Sequence, residues 1–106
     1  MRSFQASGNA VMRDEQIEAV AKYLKSMSHP VRLKILSLLL EGELTVGALL
    51  SQVGTSGANL SQHLQVLREM GVVVSDKKGN IISNRIADKR FADLIRAMRR
   101  LFCPEA

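Results

Sequence analysis

The chain holds one cysteine, two prolines, no tryptophan, three phenylalanines and one tyrosine among 106 residues. A lone Cys103 excludes an internal disulfide. The only histidines, His29 and His63, lie far apart, with no CxxC, HxH or HxxE pattern, so no metal site is expected. No apolar run approaches the ~18 residues that span a bilayer. The longest, Ile35 to Leu40, is interrupted by Ser37. The N-terminus lacks the charged, apolar, small-residue order of a signal peptide. Missing too are a Ser/His/Asp set, a glycine-rich phosphate loop and paired carboxylates suited to a pocket. The expectation is a soluble, cytoplasmic protein that is not an enzyme, needs no cofactor or metal and has no membrane partner.

What the chain does have is positive charge, +5 overall with a pI near 9.9. Residues 54–106 hold nine Lys/Arg against five Asp/Glu, whereas residues 1–53 hold six against five. A positive surface draws phosphate and gives salt-dependent, sequence-independent binding, so nucleic acid is the partner that charge favours.

At this length a single domain is expected, spanning 13–106 behind a loose tail over 1–12. From Arg13, Ile17, Val20, Ala21, Leu24 and Met27 form one helical stripe. Ser28-His29-Pro30 breaks it; Ser28 suits a cap and Pro30 the first turn of a second helix, Val31 to Leu40. Glu41-Gly42 ends that helix, and Thr45 caps a third running to about Gln52. After the turn from Val53 to Gly57, Thr55 or Ser56 caps a fourth helix that stops at Gly71. Val72-Val73-Val74 and then Ile82 and Ile86, alternating with Ser83 and Arg85, carry strand periodicity around the turn Asp76-Lys77-Lys78-Gly79-Asn80. Asp88 caps a last helix, with Phe91, Leu94, Ile95, Met98 and Phe102 at helical spacing. The order α-α-α-α-β-β-α predicts a mostly helical winged helix-turn-helix.

Residues 59–71, NLSQHLQVLREMG, say most about function. Leu60, Leu64 and Leu67 share one helix face, leaving Asn59, Ser61, Gln62 and Gln65 on or beside the other. Solvated faces usually carry Lys and Glu, whereas this one is uncharged over its first two turns. Amides pair bidentately with adenine in the major groove. With Ser56 at its start and His63 beside it, the segment is expected to read double-stranded DNA. Lys77, Lys78 and Arg85 on the hairpin are expected to meet phosphate, though a charge run also serves simply to solvate a hairpin. His63 is equally read as a phosphate or base contact and as a surface histidine bonded to a neighbour. Ile17, Val20 and Leu24 in the first helix, with Phe91, Leu94, Ile95 and Met98 in the last, are expected to form a homodimer interface.

LKSMSHPVRLKIL (Leu24 to Leu36), ELTVGAL (Glu43 to Leu49) and LSQHLQVLREMGVV (Leu60 to Val73) together resemble the ArsR family of small dimeric bacterial repressors, from about Glu15 to Cys103. The resemblance implies a palindromic operator read by two copies of the fourth helix. The family's metalloid cysteines fall at Thr45 and Gly47, which supply no thiolate. In its last-helix zinc site Asp88 remains, but Arg90 stands at the following histidine position. The chain is more similar to the branch sensing sulfide, persulfide or oxidants, whose last helix ends in an aromatic-Cys pair, here Phe102-Cys103. That branch implies a second thiol at Ser37, where serine can neither persulfidate nor bridge. Ser37 is then either a natural variant with another trigger or a Cys→Ser substitution that keeps the chain reduced. Reactive sulfur species or an oxidant at Cys103 are the implied signal. The alternatives are a repressor with a different non-metal ligand and a winged-helix protein-interaction module. The family's frequent wing tyrosine is Asn84 here, which draws attention to how the wing packs.

Overall fold

A computed structural model describes residues 11–105. Its elements are α1 (Asp14–Met27), α2 (Pro30–Leu39), β1 (Leu44–Thr45), α3 (Val46–Val53), α4 (Gly57–Glu69), β2 (Val73–Lys78), β3 (Ile81–Ile86) and α5 (Lys89–Phe102). This is a winged helix-turn-helix, with one strand more than the periodicity announces. β1 pairs Leu44 with Asn84 and Thr45 with Ser83, making β3 the centre of an antiparallel sheet ordered β1-β3-β2. Of the expected tail, only Val11 and Met12 fall within the described residues, and both are exposed.

Capping side chains set most of the helix starts. Thr45 Oγ1 accepts from the Ala48 N–H at 3.1 Å, and Ser56 Oγ accepts from the Asn59 N–H at 3.1 Å. Asp88 Oδ1 does the same for the Arg90 N–H at 2.9 Å. α2 departs from expectation. His29, not Ser28, is its cap, with Nδ1 accepting from the Val31 N–H at 3.0 Å. Ser28 instead closes α1, its N–H donating to the Lys25 carbonyl at 3.2 Å. An imidazole nitrogen lacking its proton accepts as a carboxylate oxygen does, and Pro30 has no N–H to satisfy.

The core gathers Ile35 and Leu36 of α2, Leu49 of α3, Leu60, Leu64 and Leu67 of α4, and Val72 and Val73 at the start of the wing. Every α4 leucine expected inward is inward. α1 lies largely outside this core: Ile17, Val20 and Leu24 remain 50%, 40% and 46% exposed. The apolar stripe of α5 divides. Phe91 and Ile95, expected at a dimer interface, are buried within the protomer, only 6% and 5% exposed. Phe91 meets Tyr23 of α1 edge to face, with ring centroids 5.2 Å apart, so it fastens α5 to α1. Leu94 and Met98 are half-buried, while Leu101 and Phe102 are exposed. No helix among the described residues is long and apolar enough to cross a membrane.

Candidate nucleic-acid interface

α3 ends at Gly54, whose φ of 78° lies in the left-handed region where glycine carries no steric penalty. Three residues later α4 begins, so the chain reverses between two helices without a loop. Burial of Leu60, Leu64 and Leu67 fixes the rotation of α4, and Ser61, Gln62 and Gln65 stand exposed on its outer side. These three form the expected reading face. Among the described residues the Gln62 side chain makes no hydrogen bond within the protein, so its amide is free for an external partner. Gln65 is held: its Oε1 accepts from Arg68 at 2.9 Å and its Nε2 donates to Glu69 at 3.0 Å. Asn59 is half-buried and its amide donates to Thr55 Oγ1 at 2.7 Å, which bolts the turn to the first turn of α4. Ser56, though exposed, is occupied as the cap.

His63 is not on that face. It is buried, its Nδ1 lies 3.2 Å from Arg32 Nη1, and its ring centroid lies 4.3 Å from that of His29. Burial and the Arg32 contact favour the reading of a histidine bonded to a neighbour over that of a DNA contact. The helical step explains the position: 63 is three residues past Leu60 and four before Leu67, hence on the flank of the inward stripe. Burial, followed by the charges of His29 and Arg32, holds its pKa below the ordinary value. Since arginine only donates, Nδ1 must keep its lone pair, and the ring is neutral.

The wing follows directly. Gly79 takes φ 62° at the first central position of the two-residue turn, the place where a type II′ hairpin wants glycine. Lys77 and Lys78 are exposed beside it and form no ion pair among the described residues. Arg85 is exposed but paired across the hairpin with Asp76, so part of its charge is answered within the protein. At the base of the wing Asn84 is wholly buried and its polar atoms are bonded to neighbouring strands.

The other expected sites occupy the opposite side of the sequence. Ser37 and Cys103 are both exposed. Glu41, one turn after Ser37, pairs with Arg99, one turn before Cys103, at 3.8 Å. The ends of α2 and α5 therefore approach each other. Asp88 is committed as the α5 cap and to the Arg90 guanidinium at 2.9 Å, which holds its carboxyl below the usual range. Among the described residues no three His, Cys, Asp or Glu side chains converge as metal ligands would.

A short helix, a glycine turn, a second helix with an uncharged polar face and a basic hairpin define a DNA-binding transcriptional regulator of the winged helix-turn-helix class. Residues 29–75 match the description "Bacterial regulatory protein, arsR family". Over 92 residues the chain is 39% identical to the biofilm growth-associated repressor of Xylella fastidiosa, covering 87% of this chain and 81% of that protein. The structure of reduced HlyU from Vibrio cholerae superposes with a TM-score of 0.80 at 33% identity, covering 85% of this chain and 95% of that one. The homodimeric winged helix-turn-helix DNA-binding domain of Mb0332 from Mycobacterium bovis superposes with a TM-score of 0.76 at 29% identity, over 87% and 88% of the two chains. The chain belongs to the ArsR family of bacterial regulatory proteins. It is a regulator and not an enzyme.

Proposed function

We propose that this chain is a cytoplasmic repressor that binds a palindromic operator as a homodimer, one α4 in each of two successive major grooves. The observation that carries this reading is the exposed Ser61, Gln62 and Gln65 face on a helix whose leucines are buried. Gln62 is the direct base reader, since its amide has no competing partner among the described residues. Lys77 and Lys78 supply phosphate contacts from the wing tip, and the Asp76 pair makes Arg85 the weaker of the three basic groups.

The dimer rests on the exposed apolar stripe Ile17, Val20 and Leu24, continued by Leu94 and Met98 and by the exposed Leu101 and Phe102. Residues of this kind on adjacent outer helices mark an interface. The homodimeric Mycobacterium relative supports the same assembly. Gel shifts at two salt concentrations test the function, using a duplex enriched by the protein from a random-sequence pool and its shuffled counterpart. A repressor of this kind prefers the enriched duplex at both salts. A folded protein retaining neither duplex at low salt is a protein-interaction module instead.

The trigger is proposed to derive from thiol chemistry, with Cys103 as one of two ancestral positions and Ser37 as the other. Support comes from the exposure of both residues, the Glu41–Arg99 contact between them, and similarity to a protein whose structure is that of its reduced form. A lone thiol closes no internal bridge, so this chain as it stands lacks the dithiol switch.

A further inference from the structure

We propose that Arg68, Ser75 and Asn84 are positioning residues that fix the reading helix against the wing and thereby set selectivity for one duplex over another. They form one continuous polar line. Arg68 Nη1 of α4 donates to Ser75 Oγ of β2 at 3.3 Å. The Ser75 hydroxyl donates to Asn84 Oδ1 of β3 at 2.6 Å, and the Asn84 amide donates to the Leu44 carbonyl of β1 at 3.3 Å. The direction of every bond is forced. Arginine only donates, so Ser75 accepts from it and must send its own proton onward; the Asn84 oxygen takes that proton and its NH2 faces the carbonyl.

The line ends two residues before the start of α3, beside the Thr45 cap. It therefore ties α4 to all three strands and ends beside the chain that enters α3. Its other end reaches the reading face, because the second Arg68 nitrogen holds Gln65 Oε1. Asn84, central in the sheet, is the one polar side chain among the largest fully buried of the described residues. A buried amide is costly when unpaired, so the line is stable only with all partners in place.

The consequence is geometric. Lys77 and Lys78 lie at the far end of the hairpin that Ser75 and Asn84 anchor, and Gln62 lies on the helix that Arg68 anchors. With the line intact, a phosphate grip at the wing tip fixes where Gln62 meets a base edge. With it broken, each element adjusts independently and a mismatched base is accommodated. Phosphate contacts position and base contacts specify, so the loss appears in discrimination rather than in general affinity.

This inference rests on α4 being the reading helix, and the experiment separates the two. Dissociation constants are measured by fluorescence anisotropy at two salt concentrations. The probes are a duplex enriched from a random-sequence pool by the unmodified protein and the same duplex with its bases shuffled. Ser75→Ala removes the donor to Asn84 Oδ1 and, with folding verified by circular dichroism, should lower the enriched-to-shuffled affinity ratio about five- to tenfold. Shuffled-duplex binding and its salt slope should stay within about twofold. Ser75→Thr, which keeps the hydroxyl, should restore the ratio. An unchanged ratio in Ser75→Ala, or equal loss on both duplexes, overturns the positioning role. Gln62→Ala is the control: an unchanged ratio there overturns the reading helix itself, whereas a drop there with none in Ser75→Ala overturns only the polar line.

Discussion

Histidine 63 shows how a polar side chain on the proposed reading helix comes to pack against the fold instead. It is packed among Arg32 and His29 of the facing segment, and no carboxylate forms an ion pair with Arg32 among the described residues. Arg32 Nε is itself buried without a partner, so a proton on His63 would add a cation where none is compensated. Its pKa lies below the ordinary 6.5, through burial first and then the charges of His29 and Arg32. As pH falls through 6.5 the unfolded chain takes up a proton that the folded chain resists. The stability that His63 contributes is thus complete above 6.5 and declines below it until the folded side chain titrates too. Urea unfolding at about pH 7.5 and about pH 5.5 should show a smaller acid loss for His63→Gln than for the unmodified protein. Identical losses would remove His63 from the account. On the outer face of the same helix the expectations concern DNA. Gln62→Ala should weaken binding to the enriched duplex by about 1–3 kcal/mol. Lys78→Ala should weaken enriched and shuffled duplexes alike and reduce the salt slope by about one unit. A folded Gln62→Ala protein with unaltered affinity would move the reading face elsewhere.

Among the elements, those with several repeats of a period were legible in the sequence, and those without were not. The α4 leucines, the Thr45 and Asp88 caps and the hairpin after Gly71 all follow from spacing and turn chemistry, because each is decided by neighbouring residues. β1 is two residues long, has no period to display, and exists only because β3 offers it an edge. His29 and not Ser28 caps α2 because the helix begins at Pro30, directly after His29, a choice of register that local propensity leaves open. The α5 stripe was visible, but its division was not. Tyr23 captures Phe91 inside the protomer and Ile95 is buried there too, while Leu94 and Met98 are half-buried and Phe102 is exposed. In the candidate site, the exposed amides were legible from the leucine register. The bonds that hold Gln65 depend on Arg68 and Glu69 rotamers that no pattern encodes. Caps make the testable contribution here. Ser56→Ala removes the oxygen that receives the Asn59 N–H at the start of α4 and should cost about 1 kcal/mol, roughly 4–8 °C in Tm. A Tm unchanged by that substitution would show that water replaces the cap without loss.

For the whole molecule, the issue is how an event at the outer helices reaches DNA. The apolar stripe on α1 is too exposed for an isolated protomer and well suited to a symmetric partner. Leu24→Asp should place unpaired charges in that interface, cost several kcal/mol of association and yield a monomer by sedimentation. Such a monomer should lose the enriched duplex despite an intact α4, since one half-site supplies only part of the contacts. Tight binding by a proven monomer would end the dimer proposal. The proposed thiol origin of the trigger is tested on the same assembly. α2 carries Ser37 and contributes Ile35 and Leu36 to the core on which α4 rests, while α5 carries Cys103 beyond the outward stripe. A covalent link between them would couple the support of the reading helix to the dimer arm, and so alter the separation of the two reading helices. The present chain should hold the enriched duplex equally with and without hydrogen peroxide, because Cys103 oxidised to a sulfenic acid finds no second thiol within its own protomer. Ser37→Cys should differ. Peroxide takes two electrons and two protons from the thiol pair, leaving a disulfide and water, and mass spectrometry then reads the loss of two hydrogens. Such a bond requires Cα atoms within about 7 Å. DNA release by Ser37→Cys, coincident with that mass change and reversed by reductant, is the expected outcome. Should Ser37→Cys stay bound after forming the bridge, while the present chain releases DNA under peroxide, the dithiol origin fails and Cys103 acts alone.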